Sequence, residues 1–170
     1  INWGDGTATE AGAVTQGSGS GTVAASHVYA DNGIYTVTVT VTDDDTGSSF
    51  DAFTVTVNNV SPTAAPLTGP SVAVPGQPLT YSTTFTDPGF DNPLNVVNTG
   101  GEVAETFTAT INYGDGTGDQ AATVSWTTGS VGVLSVGNVG SGHTYTAPGT
   151  YTITLTVYDD DGGSHTVTKQ

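Results

Sequence analysis

Two stretches of this chain alternate with a period of two almost without interruption. Gly33 to Asp45 reads GIYTVTVTVTDDD, and Gly149 to Gly163 reads GTYTITLTVYDDDGG. In the first, Tyr35, Val37, Val39 and Val41 fall on one face, and Ile34, Thr36, Thr38, Thr40 and Thr42 on the other. Successive side chains of a strand point to opposite faces, so this pattern predicts a half-buried strand and does not suit an amphipathic helix. The residue types agree, because β-branched side chains pack well on a pleated surface and lose rotamer freedom in a helix.

Each stretch runs into an acidic turn and returns. After DDDTGSS, the segment FDAFTVTVNNV alternates through Phe53, Val55 and Val57, which predicts a hairpin. After DDDGG, the chain returns through His165, Val167 and Lys169. LTYSTTFTDPG and ETFTATINYGDGT read as further strands, the latter with Phe107, Ala109, Ile111 and Tyr113 on one face. Composition points the same way: 24 glycines, 8 prolines and no methionine suit strands and turns rather than helices. The fold class expected is all-β.

The chain also repeats itself. INWGDGT at Ile1 returns as INYGDGT at Ile111. His27 and Tyr29 match His143 and Tyr145, and the Gly-x-Tyr strand starts match at Gly33 and Gly149. A fixed order of landmarks occurring twice predicts two copies of one structural unit. The Pro-rich stretch NNVSPTAAPLTGP lies between them and reads as a linker followed by an edge strand. The boundaries expected are 1–60 and 61–170.

The order WGDGT, His-x-Tyr, Gly-x-Tyr-Thr-Val-Thr-Val and DDDG resembles the PKD domain, an Ig-like β-sandwich repeat of bacterial and archaeal surface proteins and secreted hydrolases. The resemblance implies tandem Ig-like sandwiches, the first lacking its N-terminal strands, and an extracellular or cell-surface location. It departs from the family pattern in two places. Unit one starts at its third strand, and unit two carries a long insertion near 90–104. Either a longer array is truncated there, or a neighbouring PKD-like domain or subunit donates the missing strands, since a half-sandwich exposes its inner face. The chain has no initiator Met and no signal peptide, and reads as a mature or excised piece of something longer.

Charge narrows the partners. Lys and Arg together number 1 against 16 Asp and Glu, for a net charge of −15. Nucleic acid is excluded as a partner because almost nothing can neutralise phosphates. No apolar run reaches membrane-spanning length, and an anionic membrane surface would repel the chain. With no cysteine there is no thiolate site or disulfide framework. The acids are left to be solvated, to cap backbone N–H groups, or to bind cations from outside.

In a sandwich of successive antiparallel strands, Asn58 to Ser61, Asp87 to Asn92, the stretch around Glu105, and Asp159 to Asp161 should meet at one pole of unit two. Oxygen-rich loops of this kind suit Ca²⁺, and the family resemblance implies the same option. The candidate ligands are Asp87, Asp91, Asp159 and Asp161, with Asn59, and in unit one Asp43 and Asp45. The competing reading makes DDDG an acidic turn whose side chains cap backbone N–H groups.

The GDG turns and the His-x-Tyr pairs read as structural, the latter as a corner motif bonding loop backbone. No nucleophile elbow occurs, and no convergent acid–base set emerges, so no enzyme is expected. Trp3 is expected in a core, and Trp126 is the better candidate of the two for a surface contact, where it could stack on a sugar of a polysaccharide. The leading expectation is a structural or adhesive module that spaces or links subunits of a surface or filament protein. The alternative is an accessory substrate-binding domain of a secreted hydrolase.

Overall fold

A computed structural model describes residues 1–95 and 103–170. All regular structure among them is β-strand, and no helix is long and apolar enough to cross a membrane. The chain divides into two compact units, one of residues 1–58 with 91–104, the other of residues 59–90 with 105–170.

The first unit holds β1 (Ala13–Gly17) and β2 (Ser20–Ala24), paired as a hairpin, and β3 (Gly33–Thr42) and β4 (Ser48–Val57), paired as a second. The alternation read from sequence sets the register of the second hairpin: Tyr35 pairs with Val55, Val37 with Phe53 and Val41 with Ser49. Tyr35 and Val37 are buried as expected. The other edge of β3 bridges Asn2 at Thr38, and Gly4 lies close to the Thr36 backbone.

The second unit is a complete sandwich. Its strands are β5 (Thr63–Ala64), β6 (Leu79–Asp87), β7 (Phe107–Asn112), β8 (Asp119–Ala121), β9 (Thr123–Thr127), β10 (Ser135–His143), β11 (Ile153–Asp159) and β12 (Ser164–Lys169). They form two four-stranded sheets, β5-β6-β10-β9 and β12-β11-β7-β8, with every pairing antiparallel. The inner faces bury Leu79, Tyr81, Phe85 and Val139 against Phe107, Ile111, Leu155 and Val157. The rings of Phe85 and Phe107 meet with centroids 4.7 Å apart. Each such side chain contributes roughly 1.5–3 kcal/mol by leaving water, which is how a Thr- and Gly-rich chain still secures a core.

The same positions fare differently in the two units. Leu155 and Val157 are 0% exposed in β11, whereas Val41, the counterpart of Val157, is 50% exposed in β3. Among the described residues of the first unit, no strand stands in the places of β5 and β6.

The leading segment of the first unit ends at Asn58. The insertion near 90–104, expected in the second sandwich, belongs instead with the first unit from Asp91 onward. The buried amide of Asn92 donates to the carbonyl of Asp5 at 3.0 Å. Sequence order hides such a contact, because the two residues lie 87 positions apart. Residues 96–102 of that insertion lie outside the described residues.

Candidate functional site

One end of the second unit gathers carboxylates on three chain segments. β6 delivers Asp87 at its last position, Glu105 precedes β7, and β11 ends at Asp159 with Asp160 and Asp161 following. Antiparallel order brings these ends together, because β6 and β11 both finish where β7 starts. Asp87, Glu105 and Asp159 are buried. A carboxylate oxygen of Glu105 lies within 4.8 Å of one of Asp161.

Asp87 stands apart chemically. Its Oδ1 accepts the Gly89 N–H at 2.7 Å, while its buried Oδ2 has no hydrogen-bond partner among the described residues. Burial pushes its carboxyl up to about 6, and the negative charges of Asp159, Asp160 and Asp161 push the same way against the Gly89 N–H. A buried carboxylate oxygen without a donor is unfavourable unless a proton or a cation meets it. The loop that holds it is fixed from beneath: buried Ser135 donates to the Gly89 carbonyl at 2.6 Å. A Cβ at Gly89 would meet Glu105 Oε2 and come within 3.0 Å of Asp87 Oδ1, so a side chain there would displace the Glu105 carboxylate. The donor set is oxygen only and negatively charged, which fits a hard divalent cation such as Ca²⁺.

The remaining candidates separate by role. Asp159 closes its turn, with Oδ1 accepting the Gly163 N–H at 2.5 Å and Oδ2 accepting from the Asn59 amide at 2.9 Å. Asp43 does the same in the first unit, accepting from Gly47 N–H at 2.6 Å and Asp45 N–H at 3.1 Å. The first aspartate of each acidic run is therefore a backbone cap, and Asn59 orients one of them. Asp45 is exposed. Asp91 belongs to the segment grouped with the first unit. Sequence reading pointed to the loop around Glu105 without choosing the residue. Its signal was a pair of acids, Glu102 and Glu105, just before an alternating strand. Ser135 carried no signal, because nothing in its local sequence reports a carbonyl 46 residues away.

A second arrangement occurs once in each unit. His27 Nε2 meets Asp5 Oδ2 at 2.8 Å, and His143 Nε2 meets Asp115 Oδ2 at 2.8 Å. Each imidazole stacks on the aromatic before the GDG turn, His27 on Trp3 at 4.9 Å and His143 on Tyr113 at 3.9 Å. The tyrosine two residues on donates to that aromatic's carbonyl, Tyr29 to Trp3 at 3.0 Å and Tyr145 to Tyr113 at 2.9 Å. The tyrosines thus bond loop backbone as expected, while the histidines bond a carboxylate instead. Burial opposes the charge of Asp5, but bonds from Thr7 and His27 outweigh it and hold the carboxyl below its usual range. Thr117 and His143 hold Asp115 down likewise. His165 also has a structural place: its Nδ1 accepts the Ala64 N–H at 2.8 Å, tying β5 to β12.

A family model described as the PKD domain matches residues 52–170. The chain belongs to the PKD domain family. PKD domains are generally non-catalytic β-sandwich modules of extracellular type. No curated protein and no solved structure matches the chain. The match covers the whole of the second unit, so the acidic end and one His–Asp corner both lie inside the PKD domain. Trp126, on β9, turns its edge to Phe107 at 5.7 Å and is 38% exposed, so it is shared between core and surface. Trp3 stacks on His27 but is only half-buried, outside the core where it was expected.

Proposed function

We propose that the chain is a non-catalytic spacer of tandem PKD-type units in an exported surface or filament protein, with calcium stiffening the second unit. The observation that carries the tandem reading is the duplicated corner. The same Asp, His, Tyr and aromatic residues meet at matching distances in a segment that the family match leaves out and in one that it covers. A unit built twice from one plan suits spacing and linking rather than turnover. Val41 and Phe53, at 50% and 53% exposed on the inner face of the first hairpin, are the surface a strand from a neighbouring domain or subunit would cover.

Calcium would be held by Asp87, Glu105 and Asp161, with Asp159 and Asn59 shaping the site. The buried, partnerless Oδ2 of Asp87 supports this reading. With a Kd near 10⁻⁴ M, 10 mM calcium would add roughly 2.7 kcal/mol. The test is thermal unfolding in EDTA and in 10 mM CaCl₂, with bound metal measured by mass spectrometry. A rise of several degrees with about one calcium bound is expected. An unchanged melting point with no bound metal would leave the carboxylates as turn caps and remove the calcium reading. A pull-down on chitin and cellulose, expected to be negative, tests the spacer reading against the accessory-domain alternative.

A further inference from the structure

The two sheets of the second unit have four edges, and three of them are guarded. β5 is two residues long, with Pro62 just before it and Pro66 two residues after, and proline cannot donate to a ladder. β12 lies against β5, joined where His165 Nδ1 accepts the Ala64 N–H at 2.8 Å. β8 is three residues long and opens on the carboxylate of Asp119. Short length, proline, charge and cover are the means by which sheet edges are kept from pairing with another chain.

β9 has none of these. Its residues Thr123–Thr127 pair one for one with β10, from Gly140 back to Val136, with no bulge. Among the described residues, no strand pairs with its other side. Every second residue of an antiparallel strand turns its N–H and C=O toward that side. Val124 is half-buried and the other β9 residues are exposed.

Charge singles out the same place. The chain carries −15, yet the sheet β5-β6-β10-β9 has no Lys, Arg or Glu, and its one aspartate, Asp87, is buried. From Gln120 to Tyr158 the sequence has no Asp, Glu, Lys or Arg. Like charges set against each other oppose association, so this sheet is where a second acidic chain can approach. Trp126 gives the edge something to bury. Its ring meets Phe107 edge-on at 5.7 Å and is still 38% exposed.

We infer that β9 pairs with β9 of a second copy of the chain, antiparallel, about a two-fold axis through Ser125. The strand reads Thr-Val-Ser-Trp-Thr. The axis sets Thr123 across from Thr127, Val124 across from Trp126, and Ser125 across from its own copy. Each is a favourable cross-strand pair: Thr with Thr, a β-branched residue with an aromatic one, and Ser with Ser. The valine of each copy covers the exposed part of the other's tryptophan. A two-fold interface must be self-complementary, and a strand with matching residues on either side of its centre meets that demand. The two four-stranded sheets join into one of eight strands. The contact does not use the acidic end, so it stands whether or not calcium binds there.

The test is sedimentation of the chain from about 10 μM to 1 mM in 0.15 M salt, which screens repulsion between the acidic chains beyond about 8 Å and covers the range of a small, transient interface. A dimer that grows with concentration is expected. Ser125→Lys and Ser125→Asp put like charges on the axis, and each alone should weaken the dimer by roughly tenfold or more, with the melting point unchanged. An equimolar mixture of the two should restore it, because the two-fold contact sets position 125 across from itself. The chain has no cysteine, so Ser125→Cys gives a second readout. It should form a disulfide dimer under mild oxidation, since directly opposed residues lie about 4.5–5.5 Å apart, within disulfide reach. Asn138→Cys, exposed on β10, is the control and should not. A chain that stays monomeric at the highest concentration, or a dimer indifferent to both charges at Ser125, would overturn the inference. So would a dimer kept in Ser125→Lys and lost in Phe53→Lys, which would move the contact to the first hairpin.

Discussion

At the scale of single residues, the same side chain type takes opposite roles according to its surroundings. Asp5 has donors on both oxygens, from Thr7 and His27. Among the described residues, Asp87 has a donor on one oxygen alone. The consequences for stability differ in sign. Asp5 ionises more readily folded than unfolded, so its contribution is complete above the unfolded pKa of about 3.9 and fades as pH falls below it. Asp5→Ala, which strands Thr7 and His27, should lower unfolding free energy by roughly 2–3 kcal/mol in urea titrations. It should also flatten the loss of stability between pH 4 and acid. Asp87 has its carboxyl raised from 3.8 to about 6, so its charge opposes folding once pH rises through that value. Asp87→Asn should therefore raise the melting point in EDTA at pH 7, by at most about 3 kcal/mol in stability. The same variant should lose the response to calcium. The aspartates looked equivalent in sequence, since burial and donor count belong to the neighbours that folding brings.

At the scale of elements, the period of two was enough to place the strands and their inward faces. Phe107, Ala109, Ile111 and Tyr113 were expected on one face and are all buried. What alternation does not report is how closely two strands' residues approach. Gly137 sits opposite Phe85 in the β10–β6 ladder, and a Cβ there would collide with the Phe85 ring. Its glycine is required by that ring. Gly137→Ala should cost about 1–3 kcal/mol through overpacking, read as a lower urea midpoint with an unchanged slope. Gly140, three residues along the same strand, has nothing within 4 Å of a Cβ, so Gly140→Ala should leave stability nearly unaltered. Both look alike in the run SVGNVGSGH; only the cross-strand partner tells them apart.

At the scale of the whole molecule, the first unit is assembled from two separated pieces of chain. Asn92 belongs to the later piece and satisfies the Asp5 carbonyl. Asn92→Ala should cost the first unit about 1 kcal/mol, seen as faster amide exchange around Gly4–Thr7 with the core of β7 and β11 unchanged. Uniform acceleration in both units would show that the contact does not act locally. The sequence by itself determined the all-β class, the hairpins, the duplication and the PKD resemblance. Those follow from local periodicity, turn chemistry and repeated landmarks, each readable within a few residues. Only the tertiary structure decided that the insertion joins the first unit, that each histidine bonds the aspartate of a GDG turn, and that Asp87 and Glu105 share a buried end. These depend on which distant segments meet. That is settled by packing two sheets face to face, and no local pattern encodes it.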